Sequence, residues 1–210
     1  MSARADRAIA WRIETPRLVL RPFSADDAPA WRALLDASDA HLRPWIPFMR
    51  DEPRSLPGTR EVLAEWREAF EAGTSLRYAL LDRRGKEILG LGVLLDRSGP
   101  GSREVGYLLG VGNGGRGYAR EMTRALVQVA FEVHRVERVV AVCDVRNAPS
   151  RRIPGALGFV LRGGAAQPGE NPMGEPVALE TWELRADAYR ATPCASLAAR
   201  AFGPDGEQVL

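Results

Sequence analysis

Gly110-Val111-Gly112-Asn113-Gly114-Gly115-Arg116-Gly117-Tyr118-Ala119 is the strongest chemical signal in the sequence. Glycines let the backbone turn tightly and bring successive N–H groups against a ligand. A helix opening at Tyr118 would add unpaired donors and a partial positive charge. Together these suit a multiply charged anion such as a pyrophosphate. The same composition also suits a plain mobile connector, and the residues alone leave both readings open. Two familiar phosphate loops are excluded. No Gly-Lys-Ser/Thr follows the glycines. Their spacing is also wrong for a dinucleotide fingerprint, although Asp144 sits near the end of the next apolar run.

The remaining reactive residue types are sparse. Cys143 and Cys194 are the two cysteines, His41 and His134 the two histidines, and none falls into a metal-ligand spacing, so no metal is expected. Cys143 ends the apolar run Val139-Val140-Ala141-Val142-Cys143, where a thiol behaves as a small hydrophobe. No Cys or Ser nucleophile with a His partner suggests itself. A net charge of +2, from 29 basic and 27 acidic residues spread along the chain, argues for a mixed solvated surface rather than a nucleic-acid partner. Residues 1–7 lack the apolar core of a signal peptide, and no window reaches membrane-spanning length. The sequence therefore reads as cytoplasmic and reduced, with no membrane partner.

Such chemistry needs elements to position it. Arg17-Leu18-Val19-Leu20-Arg21 reads as a short strand between Pro16 and Pro22. A helix is expected from Ser24 to about Asp39, and another from about Thr59 to Ala72, on the stripe Val62, Leu63, Trp66, Ala69 and Phe70. Strands follow at 76–81, 88–95 and 104–109. The glycine stretch then leads into the longest helix, from about Tyr118 to His134, with Met122, Ala125, Leu126, Val129 and Ala130 on one face. The run 136–143 reads as a strand covered on both faces. A short helix at 147–157 and strands at 159–161 and 177–184 complete the order, with the Gly- and Pro-rich loop Gly163 to Pro176 between the last two. Short turns in the first half favour antiparallel pairing, and the strand–helix–strand segment after Glu104 requires a parallel crossover. The expected fold is α/β (α+β): a mixed, mostly antiparallel central sheet of about seven strands with helices on both faces. Residues 1–190 are read as a single domain and 191–210 as a peripheral or disordered tail.

Four ordered segments resemble the GNAT acetyltransferase superfamily, within it the RimJ/RimL-type protein N-acetyltransferases. They are Glu14-Thr15-Pro16-Arg17-Leu18-Val19-Leu20-Arg21-Pro22, His41-Leu42-Arg43-Pro44-Trp45-Ile46-Pro47, Glu104-Val105-Gly106-Tyr107-Leu108-Leu109-Gly110, and the segment Asn147 to Phe159. The likeness spans about residues 12–184. It implies acetyl-CoA as co-substrate, bound between the strand ending at Gly110 and the strand ending near Asp144. Backbone groups of Leu108, Leu109 and Val111 would pair with the pantetheine arm. Backbone N–H groups of Gly114, Gly115, Arg116, Gly117, Tyr118 and Ala119 would hold the pyrophosphate, and Asn147 and Arg151 would add side-chain contacts. The family loop usually opens with Gln or Arg where this chain has Gly114, which implies weaker coenzyme binding.

The same resemblance gives the catalytic expectations. An N–H near Leu109 would stabilise the oxyanion if the strand bulges there. Ser150 would protonate the leaving thiolate; read as a residue alone, it is a polar side chain in a helix first turn capped by Asn147. Glu170 would take the amine proton, with Glu104 as runner-up; read alone, each is a surface carboxylate. Arg116, Arg120 and Arg124 could face the 3′-phosphate or form a solvated stripe. Trp45, Phe48 and Trp66 could wall the acceptor cleft or belong to the core. The expected reaction is transfer of an acetyl or similar short acyl group to a primary amine, a protein N-terminus or a small amine, by direct attack. The assembly would be a monomer or homodimer. A non-catalytic acyl-CoA-binding module is the alternative from another class.

Overall fold

The computed structural model describes residues 8–165 and 169–210. Gln167 and Pro168, in the loop the sequence singled out, lie outside the described residues. The strands are β1 (Arg12–Glu14), β2 (Leu18–Pro22), β3 (Ser75–Asp82), β4 (Ile88–Leu95), β5 (Ser102–Leu109), β6 (Arg138–Asp144), β7 (Val160–Ala165), β8 (Leu179–Arg185) and β9 (Arg200–Phe202). The helices are α1 (Ala28–Leu42), α2 (Leu56–Glu71), α3 (Tyr118–Glu132), α4 (Ala148–Ala156) and α5 (Ala186–Tyr189), with short 3-10 turns at Ala25–Asp27, Pro47–Asp51 and Pro193–Ser196.

All strands join one sheet in the order β7-β8-β6-β5-β4-β3-β2-β1-β9, and β5–β6 is its one parallel pair among the described residues. The sheet has nine strands rather than about seven. The first extra strand arises because Trp11 to Phe23 is a hairpin: Thr15 closes its turn through Leu18, and the chain reverses at Pro16. The second lies in the segment expected to be peripheral or disordered. There β9 pairs with β1 through Ile13↔Ala201, and Cys194 and Ala201 are fully buried. The tail thus covers an edge that β1 would otherwise leave open.

Alternation along the strands builds two cores. In β2, Leu18 and Leu20 face the larger cluster under α3, with Met122, Leu126 and Val129. Val19 between them faces the other side, with Trp31 and Leu35 of α1 and Leu63 of α2. The α3 stripe read from spacing is the observed one, since Met122, Ala125, Leu126, Val129 and Ala130 are all fully buried. Each helix start has a local cause. Ser55 caps α2 by accepting from Gly58 N at 3.2 Å. Gly117, at φ +76°, makes the left-handed turn into α3.

The β4–β5 ladder leaves no room for a side chain at Gly90. A Cβ there would lie 2.2 Å from the carbonyl oxygen of Leu108. Gly90→Ala is therefore expected to destabilise the protein by about 2–3 kcal/mol through forced strand separation. Urea unfolding read by circular dichroism measures this; an unchanged midpoint would mean that the strands have more clearance.

Candidate active site

The site begins where two strands part. Strands β5 and β6 pair through Ser102↔Arg138, Arg103↔Val139 and Glu104↔Val140, and no further. Beyond that point β5 continues along β4 to Leu109, and β6 continues along β8 to Asp144. The two strand ends therefore open a cleft in the sheet. The Leu108 carbonyl points at β4, as the Gly90 contact shows. In a trans peptide the next N–H points the opposite way, so Leu109 N–H faces the cleft. The β4–β5 register runs unbroken from Leu95↔Glu104 to Gly90↔Leu109. The donor thus comes from ordinary strand alternation, not from the bulge the sequence reading required.

The glycine loop crosses the mouth of the cleft. Gly110 N donates to Leu89 O at 2.9 Å and Asn113 N to Gly110 O at 3.1 Å, which fixes where the loop leaves β5. Gly112 and Gly115 take left-handed φ of +87° and +74°. Gly112, Gly114 and Gly115 each face open space where a side chain would be. The N–H groups of Gly115, Arg116 and Gly117 meet no acceptor among the described residues. With the first turn of α3 behind them, they form an anion cradle that fits a diphosphate. Val111 departs from expectation. Its N–H is taken by the buried Ser38 hydroxyl of α1 at 2.9 Å, so it is not a free donor for an added strand. Its side chain is exposed at the cleft rim, as is that of Val145 beyond the end of β6. Leu108 is buried against the α1–α2 core. Arg116 and Arg120 are exposed beside the loop, whereas Arg124 is spent on the tail, donating to Pro193 O at 2.6 Å and Ser196 Oγ at 3.3 Å.

The far wall is the start of α4. Asn147 is its N-cap, Oδ1 accepting from Ser150 N at 3.2 Å, and its Nδ2 meets no acceptor among the described residues. Proline at 154 has no N–H to give to the Ser150 carbonyl. That orphaned carbonyl is filled by Tyr107, whose hydroxyl donates to it at 3.0 Å. The same phenol oxygen accepts from Ser150 Oγ at 3.3 Å, so a proline-made vacancy brings Tyr107 to the serine. Burial pushes the Tyr107 phenol up to about 12. Sequence reasoning missed Tyr107; the proline four residues after a candidate serine was the available signal.

Arg151 was expected to touch coenzyme. It is instead engaged at Nε with Oε1 of Glu180 on β8 at 2.6 Å, and Trp182 Nε1 donates to the same oxygen at 2.9 Å. Glu180 is buried, and the Arg151 hydrogen bond holds its pKa below the usual value despite desolvation. Cys143 Sγ lies 3.7 Å from this carboxylate, and burial, with the Glu180 charge, pushes the thiol up to about 11.

Two loops distant in sequence meet. Glu170 is exposed, pairs with Pro176 as an isolated bridge, and its carbonyl accepts from Arg50 at 3.2 Å. Buried Asn171 donates to Pro44 O at 3.2 Å and accepts from Met173 N and Glu175 N. Glu104, the other candidate base, lies at the fork of the cleft. It is buried under Arg97, which holds both its oxygens, and Ser98 donates to it at 3.2 Å. Phe48 and Trp66 stack edge to face at 5.9 Å and, with Trp31, wall a cavity of about 230 Å³; Trp45 is not part of it. Among the described residues, no group of His, Cys, Asp and Glu could hold a metal, and no helix is long and apolar enough to cross a membrane.

The family model for the acetyltransferase (GNAT) domain matches residues 17–160. A curated relative named as the uncharacterized N-acetyltransferase YnaD, from Bacillus subtilis (strain 168), is 23% identical over 155 residues, covering 72% of this chain and 84% of that protein. RimJ of Mycobacterium smegmatis, solved in complex with CoA-disulfide, superposes with a TM-score of 0.77 at 20% identity, over 89% of this chain and 91% of that one. The Salmonella typhimurium acetyl transferase described as modifying the N-terminal serine of 50S ribosomal subunit protein L7/L12 gives 0.69 at 21% identity, over 81% and 96%. At such identities the structures speak for the fold alone.

Two outcomes follow from the α4 wall. Tyr107→Phe should cost about 1–2 kcal/mol by leaving the Ser150 carbonyl unpaired. That cost should shrink by about 1 kcal/mol in a Pro154→Ala background, where residue 154 regains its N–H. Chemical denaturation of the four proteins gives the coupling; simple additivity would contradict the vacancy. For Glu180, the Arg151 hydrogen bond depresses the folded pKa below the ordinary glutamate value of about 4.5. Its stabilisation is therefore present above that value and lost as pH falls through the folded pKa. The stability gap between wild type and Glu180→Gln should close below about pH 4.5 and stay open at pH 7; a gap independent of pH would mean the pair acts by packing.

Proposed function

The chain belongs to the GNAT acetyltransferase family, and from that premise we propose that it acetylates the α-amino group of a protein N-terminus. Its reaction class is N-acetyl transfer, and its co-substrate is acetyl-CoA. The observation that carries the proposal is the parted β5–β6 pair, with Leu109 N–H on one wall, Ser150 on the other and the glycine cradle at the mouth. The relative acting on an N-terminal serine supports the acceptor class.

Each residue then has a task. Backbone N–H groups from Gly114 to Ala119 hold the diphosphate, and Asn147 Nδ2 bonds the pantetheine arm. Leu109 N–H donates to the thioester oxygen as negative charge builds there, a contact worth about 3 kcal/mol in such sites. The amine attacks the carbonyl directly, its proton passes to the Glu170 carboxylate, and as the C–S bond breaks the Ser150 hydroxyl turns from Tyr107 to give the departing sulfur a proton, which the serine recovers from solvent. Tyr107 keeps the Ser150 hydroxyl aimed, and its own phenol stays neutral at working pH. An acyl-cysteine route is disfavoured. With its thiol near 11, Cys143 is thiolate in only about one molecule in ten thousand at pH 7.

The test is thiol release from acetyl-CoA with peptides bearing a free α-amine, the same peptides Nα-blocked but containing lysine, and small amines. Release confined to free N-termini is the expected outcome; release with small amines alone would reassign the acceptor. Ser150→Ala and Glu170→Gln should each lower kcat by about 100-fold with coenzyme A affinity retained. Full turnover in both variants would remove them from the mechanism.

A further inference from the structure

The turn between β1 and β2 reaches across the molecule to the coenzyme loop. Glu121 sits one turn into α3, and its side chain is 9% exposed. It accepts from the Thr15 hydroxyl at 2.7 Å, Arg17 N at 3.1 Å and Arg17 Nε at 2.6 Å. The other arm of the guanidinium, Nη1, donates to the carbonyl of Arg116 at 2.8 Å. The group also lies over the Tyr118 ring, 5.0 Å from its centroid. Arg17 is thus fixed by four contacts to the segment Arg116–Glu121, about a hundred residues away in sequence.

Two physical consequences meet here. The peptide plane between Arg116 and Gly117 is pinned by its carbonyl, so Gly117 N–H must point away from Arg17, toward the open side of the loop. The second is electrostatic. A carboxylate near a helix N-terminus helps the helix but repels an anion bound at the same end. Glu121 is such a carboxylate, and it is buried where water screens it poorly. Arg17 supplies the opposite charge in contact with it. We propose that Arg17 is a coenzyme-positioning residue: its pair with Glu121 orients the diphosphate cradle and cancels the buried negative charge of Glu121 beneath it. The inference rests on acetyl-CoA as co-substrate and is independent of the acceptor and of Ser150 and Glu170.

Calorimetric titration with coenzyme A alone tests it without any acceptor. Arg17→Gln should raise the Kd at least tenfold, with KM for acetyl-CoA rising in step, while kcat at saturating acetyl-CoA and the acceptor KM stay within about twofold. Glu121→Gln added to Arg17→Gln should recover most of the lost affinity, since it removes the charge left unpaired. Arg17→Lys keeps the charge without the two-armed grip and should fall between wild type and Arg17→Gln; it also serves as the test should Arg17→Gln fail to fold. Wild-type affinity in a folded Arg17→Gln or Arg17→Lys protein would overturn the proposal. So would a double variant binding more weakly than Arg17→Gln, which would make the pair a structural brace only.

Discussion

The whole site depends on a pair of parallel strands that stop pairing after Glu104↔Val140. Unpaired backbone at the centre of a sheet is costly unless another partner takes it. Here each strand keeps a complete antiparallel neighbour on its outer side, β4 for β5 and β8 for β6. The inner donors and acceptors are left facing one another across a gap, and that gap is where an extended ligand finds hydrogen-bonding partners already fixed in direction. Everything else serves to hold the walls apart and shape their ends. Gly90 keeps β4 close against β5, so the Leu109 amide is turned inward. The cap at Asn147 and the proline at 154 set the first turn of α4 against the opposite wall.

Charge is arranged on the same plan. Glu104, Glu121, Asp144 and Glu180 are all buried around the cleft, and each is held by an arginine more exposed than itself: Arg97, Arg17, Arg146 and Arg151. Four unpaired carboxylates there would repel a polyphosphate and cost heavily in desolvation. Paired, they anchor loops and leave the backbone donors of the glycine stretch as the dominant local field. This explains how a chain of small net charge can offer an anion site without a basic patch. It also shows tertiary structure using Arg124, which periodicity alone offers to phosphate, and Arg151, which the family resemblance offers to the coenzyme, in contacts within the protein.

Much of the fold was legible because local patterns agreed with tertiary demands. The α3 stripe, the left-handed glycines before it and the continuous apolar run of β6 each have one good structural solution. The missed elements lack such patterns. Strand β1 is three residues long and β9 likewise, too short for alternation to register, and both exist because they complete an edge. In the site, the backbone parts were readable, since glycine spacing and strand alternation dictate where N–H groups point. Side-chain partners were not. Nothing local says that Ser38 of α1 will claim the Val111 amide, or that Arg17 will find Glu121, because those contacts are made by folding segments far apart in sequence.

The side proposed for the acceptor shows the same limit in its strongest form. It is built where the loop after α1 meets the loop before β8, joined by Arg50 to Glu170 O and by Asn171 to Pro44 O, over sequence separations of 120 and 127. In both contacts a side chain grips backbone, so the junction fixes the path of each loop, and the Glu170 carboxylate meets no partner among the described residues. A base must be free to accept a proton and yet be held near the amine. Fixing the main chain of Glu170 and not its side chain meets the first condition. Glu104 does not meet it, because Arg97 and Ser98 already occupy its oxygens. On that difference in what is bonded, the loop glutamate is the candidate we propose for the base.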